Sequence, residues 1–391
     1  MLGVLNVGLF SYVEPWSTYS GLRLWGYTII NAMGLHYFGV LPSPFQDPIS
    51  VIDVGLLLGA FAAAHLAKEF GLRSTTRREY LKGLGGGLMM GIGASLAQGC
   101  TVGGFLSPVS SLALAGFLMM AGLLAGAYVG ARALLWEVSS HPPKILSKKP
   151  GEVKIAYNYR AMPYVGLFLT VIAVLMVYSY STIGFTTLGG LLAFGFLIGV
   201  VLQRSKWCLA SAFREPFLSG DARFARAGFI TAFIGLVGFT LLKASGARPD
   251  YIFVTPAGAA VVVGGAVFGF GMVMAGGCAS GTLWRVGEGQ LKLWVALLAF
   301  MFGSGILPNV LGTAGYASIT TGSRIFLPSW LGMGYGVAFL LAFGLLALWL
   351  VLATFNQAKR QSKSFGSVLL GRLLQAKAAR QGEKEEGPQQ A

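Results

Sequence analysis

Apolar residues run along this chain in long blocks, separated by short clusters of charge. Blocks fall at 51–66, 83–99, 111–136, 162–180, 187–203, 224–243, 259–275, 289–311 and 329–354, with a further one at 24–41. A helix crosses a hydrocarbon core with about 17–25 apolar residues, so the pattern predicts an all-α polytopic membrane protein. Several blocks are short for a full span.

Composition agrees with the pattern. The 391 residues are 55% hydrophobic and 11% charged, with a mean hydropathy of +0.68. Soluble domains average about 25% charged residues, which argues against a large soluble helical protein.

The net charge of +15 changes the picture only through its distribution. Of 29 basic residues, 22 fall in four clusters: Lys68–Lys82, Lys144–Arg160, Arg204–Arg226 and Lys359–Lys384. Basic clusters between apolar spans mark cytoplasmic loops, so the excess is topology information and not a nucleic-acid footprint. The reading is a multi-pass protein of the inner (plasma) membrane with a basic cytoplasmic loop at 137–161. The tail, 355–391, is basic and cytoplasmic. Within it "SVLLGRLLQ" reads as a short amphipathic helix on the membrane surface, and the final "QGEKEEGPQQA" as disordered. No basic region precedes the apolar start, so residues 1–23 do not resemble a cleavable signal; 1–50 reads as a membrane-associated segment.

Two stretches repeat. GGLMMGIGASLAQGCTVG (86–103) and GGAVFGFGMVMAGGCASG (264–281) agree at eight of 18 positions, including Gly99, Cys100 and Gly103 against Gly277, Cys278 and Gly281. With all basic clusters inside, 83–99 starts from the cytoplasm and 259–275 from the exterior. The halves, 51–136 and 162–354, then have inverted topology, a design that places a binding site near the membrane midplane. Small residues four apart let the helices approach closely. The segments after each Cys, "TVGGFLSPVSS" and "ASGTLWRVGEGQ", are too rich in Gly, Pro and Ser for ordinary spans. Each Cys therefore stands where a helix breaks and a re-entrant segment begins, buried in protein or lining a cavity.

Three cysteines offer neither a disulfide framework nor paired metal-ligand spacing. Cys208 lies in "LQRSKWCLASAFREPFLSGD", which reads most simply as a solvated loop with incidental aromatics. Taken singly, a free Cys is usually a small buried hydrophobe; the shared setting of Cys100 and Cys278 argues for more.

The GxGxxxAxGC pattern of both halves, "GGCASGTLWRVGEGQ" and "LQRSKWCLASAFRE" resemble the YeeE/YedE family of sulfur-transport membrane proteins, over roughly residues 50–350 and most closely its YedE branch. The resemblance implies inverted halves in an hourglass with inward-penetrating segments, and uptake of thiosulfate or a related sulfur compound. It also implies a link of that branch to selenium metabolism. Carried over by motif, the substrate-contacting residues are Cys100, Cys208 and Cys278, with Gly99, Gly103, Gly277 and Gly281 beside them. The first half lacks a counterpart of the Cys208 segment.

A neutral thiol offers a weak S–H donor on a soft sulfur, and the N–H groups of broken helix ends add affinity for an anion. Arg204, Arg214, Arg285 and Glu288 are accessory candidates; Arg285 and Glu288 also read simply as an interfacial salt bridge. Asp53 and His65 could belong to a proton relay. His36 and His141 have no ligand spacing, and Trp284, Trp294 and Trp330 suit interfacial anchors. No P-loop, metal motif or cofactor motif is present. The expectation is a non-enzymatic permease importing thiosulfate or a similar small sulfur or selenium species along a thiol-lined path. Its partners are then the anion, the bilayer and a cytoplasmic sulfur-carrier protein. The alternative is a membrane sulfurtransferase or persulfide carrier with a nucleophilic Cys, activated by Arg204, Lys206 and Arg214.

Overall fold

The computed structural model describes residues 1–34, 41–140, 161–249, 253–320, 322–332 and 334–361. His36, His141, most of the basic loop and the tail beyond 361, with its two expected segments, lie outside them. The chain forms α1 (Leu2–Tyr12), α2 (Tyr19–Ala32), α3 (Pro48–Leu66) and α4 (Arg77–Ala97). A π-helical turn (Thr101–Leu106) leads into α5 (Ser107–Ser110) and α6 (Leu114–Ser140). Then follow α7 (Met162–Thr182), α8 (Thr186–Ser205), α9 (Leu209–Leu218), α10 (Arg223–Ala244), α11 (Ala259–Ala275) and α12 (Ala279–Val286). Last come α13 (Leu291–Thr320), α14 (Leu327–Leu331) and α15 (Gly334–Gln361). Among the described residues there is no strand, and nine helical segments are long and apolar enough to cross a membrane. The protein is an all-α, multi-pass membrane protein.

Glycines set how the helices meet. Lipid gives no hydrophobic drive for helix association, so close backbone packing through small residues takes its place. On α4, Gly86 lies so close to α11 that a methyl there would stand 2.5 Å from Ala275 N and 2.7 Å from Gly271 O. Gly93 meets Phe268 N and Gly264 O at 2.5 and 2.6 Å in the same way. Rising numbers on α4 thus face falling numbers on α11, and the two helices are antiparallel. The contacts also exchange under the 178-residue offset: Gly264 faces Ala97 N and Gly93 O, and Gly271 faces Gly86 O and Met90 N.

The same exchange extends outward. Gly87 and Gly91 of α4 pack on Ala296 and Phe300 of α13, while Gly265 and Gly269 of α11 pack on Met119 and Leu123 of α6. Gly55 and Gly59 of α3 interlock with Gly195 and Gly199 of α8, and the counterpart contact joins α1 to α10 through Gly3 and Gly238. Likewise α2 packs on α13 as α9 packs on α6. Residues 2–32 are therefore built into the bundle: Leu9, Phe10 and Leu22 have no exposed surface, and Phe10 stacks on Phe239 at 4.1 Å.

Charge collects at one end. Lys82 reaches Glu79 and Glu137 at 2.7 and 2.8 Å, Lys292 reaches Glu79 at 2.6 Å, and Lys206 reaches Glu69 at 2.6 Å. This is called the basic end below.

The sequence reading needs three corrections. The Gly- and Pro-rich segments after Cys100 and Cys278 are short helices, because Gly and Pro are tolerated in a first turn and a π turn absorbs the Gly103–Gly104 pair. The Cys208 stretch is not a solvated loop: it is α9, with Trp207 and Phe213 buried and Phe213 stacked on Trp349 at 5.1 Å. Trp284 is no interfacial anchor, being 2% exposed under Lys206 and Arg285, whereas Trp294 and Trp330 are exposed.

Candidate functional site

Cys100 and Cys278 occupy matching turns. Helix α4 ends at Gln98 in the left-handed region (φ 53°), and α11 ends at Gly276 (φ 92°), the equivalent position. Each cysteine follows in extended backbone, φ −87° and −85°, and caps the helix that comes next. The N–H of Gly104 donates to the Cys100 carbonyl at 2.6 Å, and that of Thr282 to the Cys278 carbonyl at 2.7 Å. Cys208 stands in the same place at the start of α9, and Thr18 at the start of α2. Four helix N-termini, with their unpaired N–H groups, are thus headed by three thiols and one hydroxyl.

These four side chains form two pairs. Thr18 Oγ1 lies 3.1 Å from Cys100 Sγ, and Cys208 Sγ lies 3.6 Å from Cys278 Sγ. The sulfur–sulfur distance is far beyond the roughly 2.05 Å of a disulfide, and all three thiols are free. Ser280 Oγ is 3.6 Å from Cys278 Sγ, and Gly103 N–H points at Cys100 Sγ at 3.5 Å. Thr101, next to Cys100, lies within electrostatic reach of the Cys278 sulfur, and its buried hydroxyl has no hydrogen-bond partner. The thiols are sealed: Cys100 and Cys278 are 0% exposed and Cys208 is 2%.

The flanking glycines leave this room. A methyl on Gly281 would run into Cys208 Sγ, and one on Gly103 into Ser17 Oγ. At Gly99 it would lie 2.7 Å from Gly104 Cα. At Gly277 it would lie 3.5 Å from Arg285 Nη1.

The accessory residues divide. Arg285 donates to the Gly276 carbonyl, lies over the Trp284 ring and interacts electrostatically with Cys208. Glu288 is buried and pairs with Lys206, not with Arg285. Gln203 donates to Glu69 at 2.8 Å and to Glu288 at 3.3 Å, so Lys206, Gln203, Glu69 and Glu288 form one polar cluster at the basic end. The Lys206 ammonium holds Glu69 below the usual carboxylate range. Arg204 is exposed, and Arg214 pairs with its neighbour Glu215 at 2.6 Å. Neither takes the part beside Cys208 that their sequence proximity suggested; Arg285 does.

Asp53 and His65 do not meet. Twelve residues of α3 separate them by about 18 Å at the usual helical rise. His65 Nδ1 bonds the Phe61 carbonyl at 2.8 Å and its ring stacks on Phe70. Asp53 sits instead against Gly21, in the first turn of α2, within electrostatic reach of Cys100. Among the described residues no cluster of His, Cys, Asp and Glu could hold a metal ion.

Sequence reasoning missed Thr18 and Ser17. "WST" and "KWC" share only a tryptophan one position out of step; the equivalence emerges only from the matched packing of α1–α2 and α8–α9.

A multi-pass bundle that encloses thiols and hydroxyls at converging helix starts has the build of a membrane transport protein. The chain belongs to the sulphur transport family, whose model matches residues 1–129 and 204–380. It is 28% identical over 366 residues to the probable transporter YedE of Escherichia coli K12, covering 88% of this chain and 89% of that protein. Over 125 residues it is 38% identical to the thiosulfate transporter TsuA of the same organism, covering 31% of this chain and 34% of that one. TsuA of Spirochaeta thermophila is 40% identical over 113 residues, 28% of this chain and 33% of that protein.

Proposed function

We propose that this protein is a permease that imports thiosulfate, or a small sulfur or selenium anion of the same shape, past Cys100, Cys278 and Cys208. The observation that carries the reading is the two buried pairs, Thr18–Cys100 and Cys208–Cys278, at matching helix starts. Soft S–H donors and N-terminal N–H groups can hold a soft anion without a fixed countercharge. Weak sites in series suit passage, since binding must allow both entry and exit. Gly281 leaves the space occupied by the Cys208 and Cys278 sulfurs, and Gly103 that of Ser17 beside Thr18.

The chain divides, in this reading, into inverted halves at 2–140 and 186–320, the first reaching further toward the N-terminus than its sequence motif. The basic end faces the cytoplasm, in line with the positive-inside rule, and with it the described end of α15. The sealed thiols correspond to an occluded state, opened by movement of one half against the other. The name of the two TsuA relatives, thiosulfate transporter, supports the substrate class.

The sulfurtransferase reading needs a base or a nearby cation to activate a thiol. Among the described residues no imidazole or carboxylate hydrogen-bonds any of the three, so the sulfurtransferase reading rests on Arg285, the cation within electrostatic reach of Cys208.

Purified protein in liposomes tests the function. It should accumulate labelled thiosulfate, with sulfite, sulfate and selenite as competitors, and release no sulfite from thiosulfate. Uptake no faster than in empty liposomes would reject transport, and stoichiometric sulfite release would favour sulfur transfer.

A further inference from the structure

Asp53 is unlike the other acidic residues of the bundle. Its side chain has no exposed surface, and neither carboxyl oxygen has a hydrogen-bond partner. Glu69, Glu79, Glu137, Glu215 and Glu288 all pair with Lys or Arg. A carboxylate buried without partners carries a large desolvation penalty, and ionisable groups kept inside membrane helices commonly serve ion or proton movement. Its position is specific. A methyl on Gly21 would stand 2.5 Å from Asp53 Oδ2, so the carboxyl fills the gap left by that glycine, three residues after Thr18. It therefore lies against the helix whose first residue touches Cys100.

Among the described residues no charge on the surrounding elements is placed to neutralise it. On its own helix, Asp47 is occupied in capping Ser50 N at 2.8 Å, and His65 is about three turns away. On α2, Arg23 lies over the rings of Tyr19 and Tyr27. On α8 there is no titratable side chain from 186 to 203, and α7 contributes only Tyr164, Tyr178 and Tyr180. From α12 comes Arg285, held at the basic end by Gly276. The groups within electrostatic reach are Cys100 and Asp47, neither of them a cation.

We propose that Asp53 carries a proton that enters with each anion, making uptake a proton-coupled symport. This rests on the transport reading above. An anion beside Thr18 and Cys100 repels an ionised Asp53 in a low-dielectric interior, and a proton on the carboxyl removes the repulsion. Proton and anion therefore strengthen each other's binding by the same factor, as linkage requires. Release of the anion on the far side lets the proton leave. A metal cation is the poorer occupant, because a hard ion takes about six or more oxygen ligands, and among the described residues no group of three or more His, Cys, Asp and Glu could hold one.

The test uses the full-length protein in liposomes that enclose a pH-sensitive dye, at equal pH inside and out. Addition of thiosulfate should acidify the interior at the rate of uptake, and replacing sodium by choline should change nothing. Asp53→Asn should lose the acidification and the stimulation of uptake by an inward proton gradient. Glu14→Gln, which alters a carboxyl beside Asp47, should keep both. Thiosulfate exchange between loaded liposomes and medium needs no net proton flow and checks transport separately. Net wild-type uptake without acidification overturns the coupling and leaves transport standing, as does dependence on sodium. Absence of exchange overturns transport and the coupling with it. The wild-type measurement decides the coupling even if Asp53→Asn does not fold, and acidification retained by a folded Asp53→Asn overturns Asp53 as the carrier.

Discussion

Thr18 Oγ1 stands 3.1 Å from Cys100 Sγ, in the place where the other half sets Cys208 3.6 Å from Cys278. A hydroxyl thus replaces a fourth thiol. If it serves as a donor along the path, Thr18→Val, which keeps the shape and removes the O–H, should slow thiosulfate uptake. One lost hydrogen bond of about 0.5–1.5 kcal/mol corresponds to roughly a twofold to tenfold effect. Thr18→Ser and Thr18→Cys should stay near wild type. Initial rates at matched protein levels check this; full activity in Thr18→Val would remove the residue from the path.

Gly281 faces the Cys208 sulfur with no room for a methyl. Gly281→Val should therefore destabilise the bundle by about 1–3 kcal/mol through overpacking. Pairing it with Cys208→Gly should recover part of the lost thermal stability, as contacting sites couple. Additive losses in detergent melting curves would show that the two do not press on each other.

Lys206 bridges Glu69 and the buried Glu288. Lys206→Met leaves Glu288 inside without its cation, at a cost of about 1–3 kcal/mol for an unsatisfied charged group. Glu69→Gln, at a half-exposed carboxylate, should cost less than 1 kcal/mol or so. The same melting curves rank the two; the reverse order would mean that Lys206 does not hold this end closed.

Glu14 lies between α1 and α2, where burial and then the Asp47 carboxylate push it up to about 7. A carboxyl raised in the folded state contributes stability that is fully present below its unfolded value near 4.5 and is lost as pH rises through about 7. Thermal stability should therefore fall between pH 5 and pH 8, a window set by those two values. Glu14→Gln should flatten that fall. An unchanged slope in the variant would place the titration elsewhere.

The buried native thiols leave a clean background for topology. Single cysteines at Thr76, at the basic end, and at Ala247, near the opposite one, should react with an impermeant maleimide from the cytoplasmic and the outer side respectively. Labelling of both from one side would contradict the inverted halves.

The spans were legible because an apolar block long enough to cross a membrane has few other uses; six of the ten blocks match a helix within four residues at both ends, while 24–41, 83–99, 289–311 and 329–354 miss an end by more. The α4–α11 repeat was legible because glycine packing is intolerant: Gly86, Gly93, Gly264 and Gly271 sit against backbone, and no larger residue fits. The converse explains what was missed. Thr18 need only present a polar hydrogen at a helix start, a demand that Ser, Thr and Cys all meet, so its stretch kept no repeat signature. Arg204 and Arg214 are close to Cys208 in sequence yet turned away in space, while Arg285 arrives from 77 residues on. Charge proximity along the chain says little once helices fold back on one another.

The central claim is that the thiols are the conducting groups and not packing. Thiosulfate uptake into liposomes by Cys100→Ala, Cys208→Ala and Cys278→Ala, each at wild-type membrane level, tests it most directly. Alanine removes the S–H donor and the soft sulfur and adds no bulk. A packing role would appear mainly as lost stability, typically about 0.5–3 kcal/mol, with uptake per folded molecule retained. The account expects folded protein with uptake strongly reduced in each variant, and little recovery in Cys278→Ser, whose donor is harder. Near-normal uptake per folded molecule in all three alanine variants would contradict it.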